Sequence, residues 1–360
     1  MKRVKDKKGQ NLRKRIGRSI GRFFIWFGST LALTVIGLYI FLYFVNKGPS
    51  SRIRDLFVAS AKESSVGGVL ADIYLSEEEI NAILSQNKTK EFEEITDTTL
   101  ISLSKNFEDS SDSVSENMLF QNNDEIDPDG DGIDIFDVHG STYKGKMMVV
   151  YDPSRVCVAT LSYYDFDIPG RTVEEFVNDY DCVAGINGGK YDDEIGMGNG
   201  GMPEGVVFSQ GNLCFGDLSQ VYDIYGFNKD NVLVVGRMTA GYAAQIGIRD
   251  AVSFGPTLIV NGKSAKYSGS GSGLNPRSAI GQRADGAVLL LVIEGRQPSS
   301  LGATMGDLIT VMEEFGAVNA ANLDGGMSSS MFYNGEDVVS SCTLGSRKMP
   351  TAFVVRKKED

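Results

Sequence analysis

Histidine is almost missing from this 360-residue chain, where His139 stands alone. That removes the material for a Ser-His-Asp triad or a histidine-rich metal site. Ser328, Ser329 and Ser330 therefore lack an obvious general base and read as hydrogen-bonding or turn residues, while His139 reads as a surface strand residue. Cysteine is scarce too: Cys157, Cys182, Cys214 and Cys342 lie far apart with no C-x-x-C pair, a spacing that argues against zinc. Outside a cell four cysteines would allow three disulfide connectivities. Cys157 and Cys182 sit in apolar strand-like runs that suit buried thiols at least as well.

Positive charge is outnumbered beyond the start of the chain. Residues 1–22 hold ten Lys or Arg and one acid, Asp6. Taking these from totals of 35 and 47 leaves 25 basic against 46 acidic side chains, a balance of −21. Such a field repels polyanions at long range and argues against a nucleic-acid partner. A phosphate-bearing ligand would need local arginines.

Phe23–Val45 has 23 residues without a charge. As a helix it reaches about 34 Å at 1.5 Å per residue, enough to cross a hydrocarbon core of roughly 30 Å. The run is too long for a signal peptide, and only Asn46, Lys47, Gly48 and Pro49 follow, with no small-residue cleavage site. A single-pass anchor with residues 1–22 cytoplasmic and the C-terminal domain outside is expected. Residues 46–86 read as a helical juxtamembrane segment, with a capping box expected from Ser76 to Glu79. Residues 87–130 are rich in Ser, Asn, Asp and Glu and read as a flexible acidic spacer.

From residue 131 to 360 short apolar runs alternate with Gly and Asp turns, as at Val156–Tyr163, Val232–Val235, Thr257–Val260, Val288–Ile293 and Ala352–Val355. Thr172 to Glu175 forms a capping box ahead of Val173–Asp179. Thr304 to Asp307 repeats it with Asp, before Leu308, Val311, Met312 and Phe315 at helical spacing and Gly316 as the stop. Many strands and few helices without regular βαβ alternation predict an α+β domain around a mixed sheet.

Two stretches concentrate chemistry: Asn275–Gly281 (NPRSAIG) and Asn322–Met331 (NLDGGMSSSM). Between them the run from Val288 ends in Glu294, Gly295 and Arg296. Carboxylates and guanidiniums at strand ends beside flexible loops suit an anionic ligand and acid chemistry. Bland readings compete, since Asp324 before two glycines can cap a turn and Glu294 can pair with Arg296 or Arg277. Asp127, Asp129, Asp131 and Gly132 match the first half of a calcium loop, but position 12 is Val138, so an acidic turn is the preferred reading over a calcium site. Gly196–Gly201 resembles a dinucleotide fingerprint only superficially, because no helix follows, and reads as a loop bordering a pocket.

In order, NPRSAIG, the strand ending in EGRQ, the helix after GAT and NLDGGMSSSM resemble the phosphodiester glycosidase family. Gly140–Val156, Val183–Gly189 (VAGINGG) and Ser253–Lys263 extend the resemblance over about 131–355. The family often has Asp where Glu294 stands and a third Gly where Met327 stands. The resemblance implies hydrolysis between a sugar's anomeric carbon and a phosphate oxygen; the sequence itself points to no cofactor, and it leaves the metal requirement open. Asp324 would act at the anomeric centre as nucleophile or base, Glu294 as its partner carboxylate, and Arg277 on the phosphate. Substrate contacts are expected from Asn187, Gly188, Gly189, Asn275, Ser278, Arg296, Asn322, Gly325, Gly326, Ser328 and Ser329. The expected substrate is a cell-surface or exopolysaccharide-type glycopolymer with an N-acetylhexosamine-like sugar. A non-catalytic glycopolymer binder and a glycosyl transferase to a polymer acceptor are the competing readings.

Overall fold

A computed structural model describes residues 2–64, 67–103, 127–193, 198–340 and 347–358. Most of the expected spacer, Cys342 and part of Gly196–Gly201 lie outside them. The chain opens with α1 (Lys2–Lys47), whose Ser19–Lys47 stretch is long and apolar enough to cross a membrane. Its side chains there are largely exposed, from Phe23, Phe24 and Trp26 to Phe41 and Phe44, so no protein core accounts for them. Three short helices follow: α2 (Ser51–Lys62), α3 (Gly68–Asp72) and α4 (Glu77–Ser85). They share a small core of Val58, Ala61, Ala71, Leu75, Ile80 and Ile83. Ser76 and Glu79 form the capping box that starts α4.

The strands begin with β1 (Ile133–His139), β2 (Lys144–Val150) and β3 (Val156–Thr160), then α5 (Val173–Asp179) and β4 (Cys182–Asn187). Next come β5 (Val207–Ser209), β6 (Asn212–Phe215), β7 (Val221–Asn228), β8 (Leu233–Thr239), α6 (Ala240–Gln245) and β9 (Ile248–Ser253). β10 (Thr257–Val260), β11 (Lys263–Ser264), β12 (Arg277–Arg283) and β13 (Val288–Ile293) precede α7 (Met305–Glu314). β14 (Ala317–Leu323), β15 (Ser330–Tyr333), β16 (Glu336–Ser340) and β17 (Thr351–Arg356) complete the chain.

They build a seven-stranded sheet, β1-β2-β13-β12-β14-β10-β11, and two of five strands, β16-β15-β4-β17-β3 and β6-β5-β9-β7-β8. This is an α+β fold, and the ladders run antiparallel. The inner faces of all three sheets meet in one core, where Ile186, Tyr225, Leu290, Leu323 and Phe353 are fully buried. Each outer face takes a helix. Leu289, Leu291 and Ile293 pack on Leu308 and Met312 of α7, Val354 on Phe176 of α5, and Val234 on Ala243 of α6. β13 is thus apolar on both faces, which explains its unbroken run of six apolar residues. The Thr172 and Thr304 capping boxes open α5 and α7.

Residues 87–103 do not behave as an unpacked spacer. They lie along the domain through Lys90 N to Lys266 O, Thr96 N to Val235 O and Ser102 N to Ala284 O. Ion pairs Glu91–Arg237 and Glu94–Lys263 fasten the same segment. Composition misjudged it because its order comes from backbone bonds to existing strands rather than from its own apolar surface.

Asp127, Asp129 and Asp131 sit with carboxylate oxygens within 4.8 Å of one another. Those oxygens accept the turn amides of Gly132, Asp131 and Ile133, and Asp131 also takes the Tyr333 hydroxyl at 2.7 Å. Val138 lies in β1, with His139 exposed at its end. Cys157 and Cys182 are buried free thiols and Cys214 an exposed one.

One buried polar side chain keys two sheets together. Gln282 of β12 accepts from Leu233 N at 2.6 Å and donates to Asn231 O and Gly286 O at 3.0 and 2.9 Å. Gln282→Met keeps the volume and strands these backbone groups, so unfolding free energy should fall by about 2–4 kcal/mol. Urea titration of the full-length protein in detergent measures it. A change within about 0.5 kcal/mol of zero would show that these bonds carry little stability.

Candidate active site

Antiparallel register decides which loops meet. Ser278, second in β12, pairs with Leu323, last in β14, so Arg277 and Asp324 emerge at one edge. In the neighbouring sheet Ile186 of β4 pairs with Met331 of β15, which brings Asn187 and the Ser328–Ser330 turn to that edge as well. A cavity of about 350 Å³ opens there, lined among others by Asn275, Arg277, Arg296, Asn322, Asp324, Gly325, Gly326 and Ser328. NPRSAIG and NLDGGMSSSM converge as expected.

Asp324 is the carboxylate that β14 brings to this cavity. Burial pushes its carboxyl up to about 7, held from going higher by the Ser328 side chain, the Gly325 amide and the Arg347 guanidinium, while Asp193 adds to the rise. Its residue surface is still partly accessible, from the cavity side. Gly325 N donates to Asp324 Oδ1 at 2.9 Å and fixes the carboxylate plane. Gly326 adopts φ +62, which lets the chain turn at once into Met327 and Ser328. Beneath Asp324, Asn187 is fully buried: its Nδ2 donates to Asp324 O, and its Oδ1 accepts from Ser278 Oγ at 2.6 Å and Ser330 N at 3.3 Å. Asn187 and Ser278 therefore hold the turn rather than face a ligand. Ser329 Oγ is buried without a partner among the described residues.

An anion cradle lies in the same cavity, and a protein carboxylate fills it. Gly273 N donates to Glu63 Oε1 at 2.9 Å, Asn275 Nδ2 to Glu63 Oε2 at 2.8 Å, and Arg277 Nη2 to Glu63 Oε2. Glu63 is the residue that ends α2, in the juxtamembrane segment. Arg277 is otherwise held by Ala303 O, Ser272 Oγ and Gly273 O, so its head is fixed in place. Its side chain is 9% exposed against 32% for Glu63, a half-desolvated pair. Arg296, at φ 56, donates from Nη2 to Asn275 Oδ1 at 3.0 Å and keeps the Asn275 amide nitrogen aimed at Glu63.

Several expected contacts fall elsewhere. Glu294 does not line the cavity; it binds Lys144 Nζ at 3.0 Å and Gln297 Nε2 at 2.9 Å. β12 separates β13 from β14, so Glu294 stands roughly two strand spacings (about 10 Å) from Asp324, and its side chain turns toward β2. Gly188 N and Gly189 N are spent on Thr351 O and Thr351 Oγ1, both at 3.1 Å, and Gly326 N on Pro276 O at 2.9 Å. Asn322 donates to Gly255 O at 2.7 Å, while its Oδ1 is buried without a partner among the described residues.

Other residues of the cavity went unpredicted. Tyr191, whose phenol burial keeps protonated, meets Ser328 Oγ at 3.1 Å. Arg347 stacks over the Tyr191 ring at 5.5 Å and pairs with Asp193. Glu63, Asp193 and Arg347 belong to no local motif; only the bias of the site toward arginine and acid hinted at them.

Residues 180–356 match the family model described as phosphodiester glycosidase. A SPβ prophage-derived uncharacterized protein of Bacillus subtilis strain 168 is 36% identical over 95 residues, 25% of this chain and 15% of that protein. The chain thus spans well under a fifth of that relative's length. Among solved structures, the zebrafish N-acetylglucosamine-1-phosphodiester alpha-N-acetylglucosaminidase catalytic domain, auto-inhibited by pro-peptide, is similar with a TM-score of 0.49 and 21% identity, over 63% of this chain and 82% of that one. A hypothetical protein from Synechocystis has a TM-score of 0.44 and 17% identity, over 63% and 62%. The stretch that carries Asp324, Arg277 and the surrounding turns, residues 180–356, belongs to the phosphodiester glycosidase family.

Proposed function

We propose that the chain is a membrane-anchored hydrolase that cleaves the C1–O–phosphate bond of a sugar-1-phosphodiester in a glycopolymer outside the cell, with an N-acetylhexosamine-like sugar. The observation that carries this reading is one cavity holding a buried carboxyl poised near neutrality beside a three-donor anion cradle. The Glu63 carboxylate stands in for a phosphodiester: each has one negative charge and two oxygens that a guanidinium fork and a backbone amide can grip. Asn322 Oδ1, buried and unpaired among the described residues, is an acceptor for a sugar hydroxyl or an acetamido N–H.

In this scheme ionised Asp324 acts at C1, as nucleophile or as base for water. The C1–O bond breaks, its electron pair leaves with the phosphate as a monoester, and water supplies the hydroxyl of the released sugar. A phosphate leaving group needs little acid assistance, so the absence of Glu294 from the cavity removes no required step. Arg277, Asn275 and Gly273 N–H take up the negative charge that grows on the phosphate.

Asp324→Asn should lower kcat/KM on the methyl phosphodiester of N-acetylglucosamine-1-phosphate by about a thousandfold or more. Thermal unfolding at pH 8 should not drop, and should rise. The reason is sign: a folded pKa raised above its unfolded value gives stability that is complete below about 4 and lost as pH climbs through about 7. An amide in place of the acid escapes that loss. Retained turnover in this variant would end the assignment, and absence of turnover on any sugar phosphodiester by wild type, with retained polymer binding, would favour the binder reading.

The pH profile tests the same group separately. Wild-type kcat/KM should rise with pH along an acid limb near 7, where Asp324 loses its proton. Arg347→Gln removes a cation that favours the carboxylate, so the limb should move to higher pH. A limb that stays put, or moves down, contradicts this.

Glu63 also predicts that the juxtamembrane helix restrains the site. A tethered group competes at an effective concentration on the order of millimolar. Glu63→Ala should raise kcat/KM for the small diester by about tenfold, whereas Arg277→Ala should lower it. Equal losses in the two variants would show that Glu63 supports Arg277 instead of occluding the site.

A further inference from the structure

A second and larger cleft, about 1030 Å³, lies next to the active-site cavity. It is bounded by the segment after β3 (Thr160 to Arg171), by α5 and by the β5–β6 hairpin, with Lys348 on its rim. The two hollows have consecutive residues in their walls. Arg347 lines the first and Lys348 the second, about 3.8 Å apart along the chain. Met349 pins that wall by bonding both ways with Arg171, at 2.8 and 2.9 Å. Nothing in the proposed chemistry uses this cleft.

Its lining is unusual for an idle surface. Tyr163 is 59% exposed at the mouth. Deeper in, Tyr164 packs edge-on against Phe215 at 5.7 Å, and the Tyr180 hydroxyl accepts from Thr160 N at 2.9 Å. Among the described residues the Tyr164 hydroxyl, buried near Thr160, has no hydrogen bond of ordinary geometry. Rings with apolar faces and polar edges, set in a polar rim, suit pyranose units, which offer C–H faces to a ring and hydroxyls to its surroundings. Arg171 is balanced by Glu175 and Asp179, which leaves Lys348 as the rim cation suited to a phosphate. In a domain with so large an acidic excess, a placed cation matters for an anionic ligand.

Size adds the last piece. The active-site cavity, about 350 Å³, is near the lower end of ligand pockets, roughly 300–1,000 Å³. It holds the unit being cleaved and little more, so a polymer must leave it, and the Arg347–Lys348 wall is a short step from the larger cleft. We infer that the second cleft binds the continuing repeats of a sugar-phosphate polymer whose scissile unit lies in the first cavity. This rests on the phosphodiesterase reading above for the identity of the polymer, but not for the existence of the binding surface.

The test pairs Tyr163→Ala with Lys348→Ser in the full-length protein in nanodiscs. Two probes are used: an end-labelled N-acetylglucosamine-1-phosphate polymer and the methyl phosphodiester of its single unit. Binding is first measured by fluorescence anisotropy in an Asp324→Asn background, where turnover cannot interfere. The double variant should weaken polymer binding about tenfold or more and leave competition by the single unit unchanged. In the Asp324-containing protein the polymer KM should rise by a similar factor while kcat, and both constants for the single unit, stay put. Equal polymer affinity with and without the two substitutions overturns the inference, as does no polymer binding by either protein. Loss of polymer binding in the variant, with no turnover of either probe by wild type, would uphold the second cleft and reject the hydrolase.

Discussion

Everything at this site depends on three donors meeting one carboxylate: Gly273 N–H, Asn275 Nδ2 and Arg277 Nη2 on Glu63. None of them is free to wander. Arg277 leads β12, its head is caged by Ala303 O, Ser272 Oγ and Gly273 O, and Asn275 is oriented by Arg296. A cradle fixed in this way has already met its ordering cost during folding, so an arriving anion need only displace an anion. The exchange of one charged partner for another avoids the cost of leaving the buried guanidinium unpaired. Whichever anion is present, Arg277 keeps its bonds to Ala303 O, Ser272 Oγ and Gly273 O.

Asp324 presents the complementary constraint. A carboxyl driven to about 7 is destabilising when ionised, yet its environment is arranged to limit that cost, with Ser328, Gly325 N–H and Arg347 all favouring the charged form. Arg347 is itself held by Asp193 and by the face of Tyr191. The cavity therefore has two charge systems side by side. One is a buried acid kept near its titration point, and the other is a cation cluster kept satisfied until something anionic arrives.

Much of the fold was legible. Capping boxes at Ser76, Thr172 and Thr304 start helices where the local pattern placed them, and the apolar runs at Thr257–Val260 and Val288–Ile293 are strands with those boundaries. Local rules suffice where an element is decided by its own residues. The site was legible only in part. Asp324, Asn275, Arg277 and Arg296 share a cavity because antiparallel register brings strand ends together. Glu294 has the right residue type at a strand end, but strand order puts it beyond β12 and beside Lys144. Gly188 and Gly189 look like free amide donors in sequence, yet Thr351 of β17 claims both. Such outcomes depend on which strand lies next to which, and no local pattern contains that.

Glu63 shows why the hardest residue to foresee is also the most consequential. Composition marks residues 46–86 as a helical stem, and a stem has no evident reason to enter a site more than 200 residues away in the chain. The structure makes the entry a packing requirement. Gly273 has no Cβ, and one built there would stand 2.2 Å from Ser60 N, so α2 can lie directly against the loop. Ser60 Oγ then accepts from Leu274 N at 2.7 Å, one turn before Glu63 reaches the cradle. α2 follows the helix that is long and apolar enough to cross a membrane after only Gly48, Pro49 and Ser50, so the end of that helix and the anion cradle share one short lever. A movement of that helix relative to the domain would be felt at Glu63, and an anion that displaced Glu63 from the cradle would in turn weaken the contact of α2 with the domain, since linkage acts in both directions.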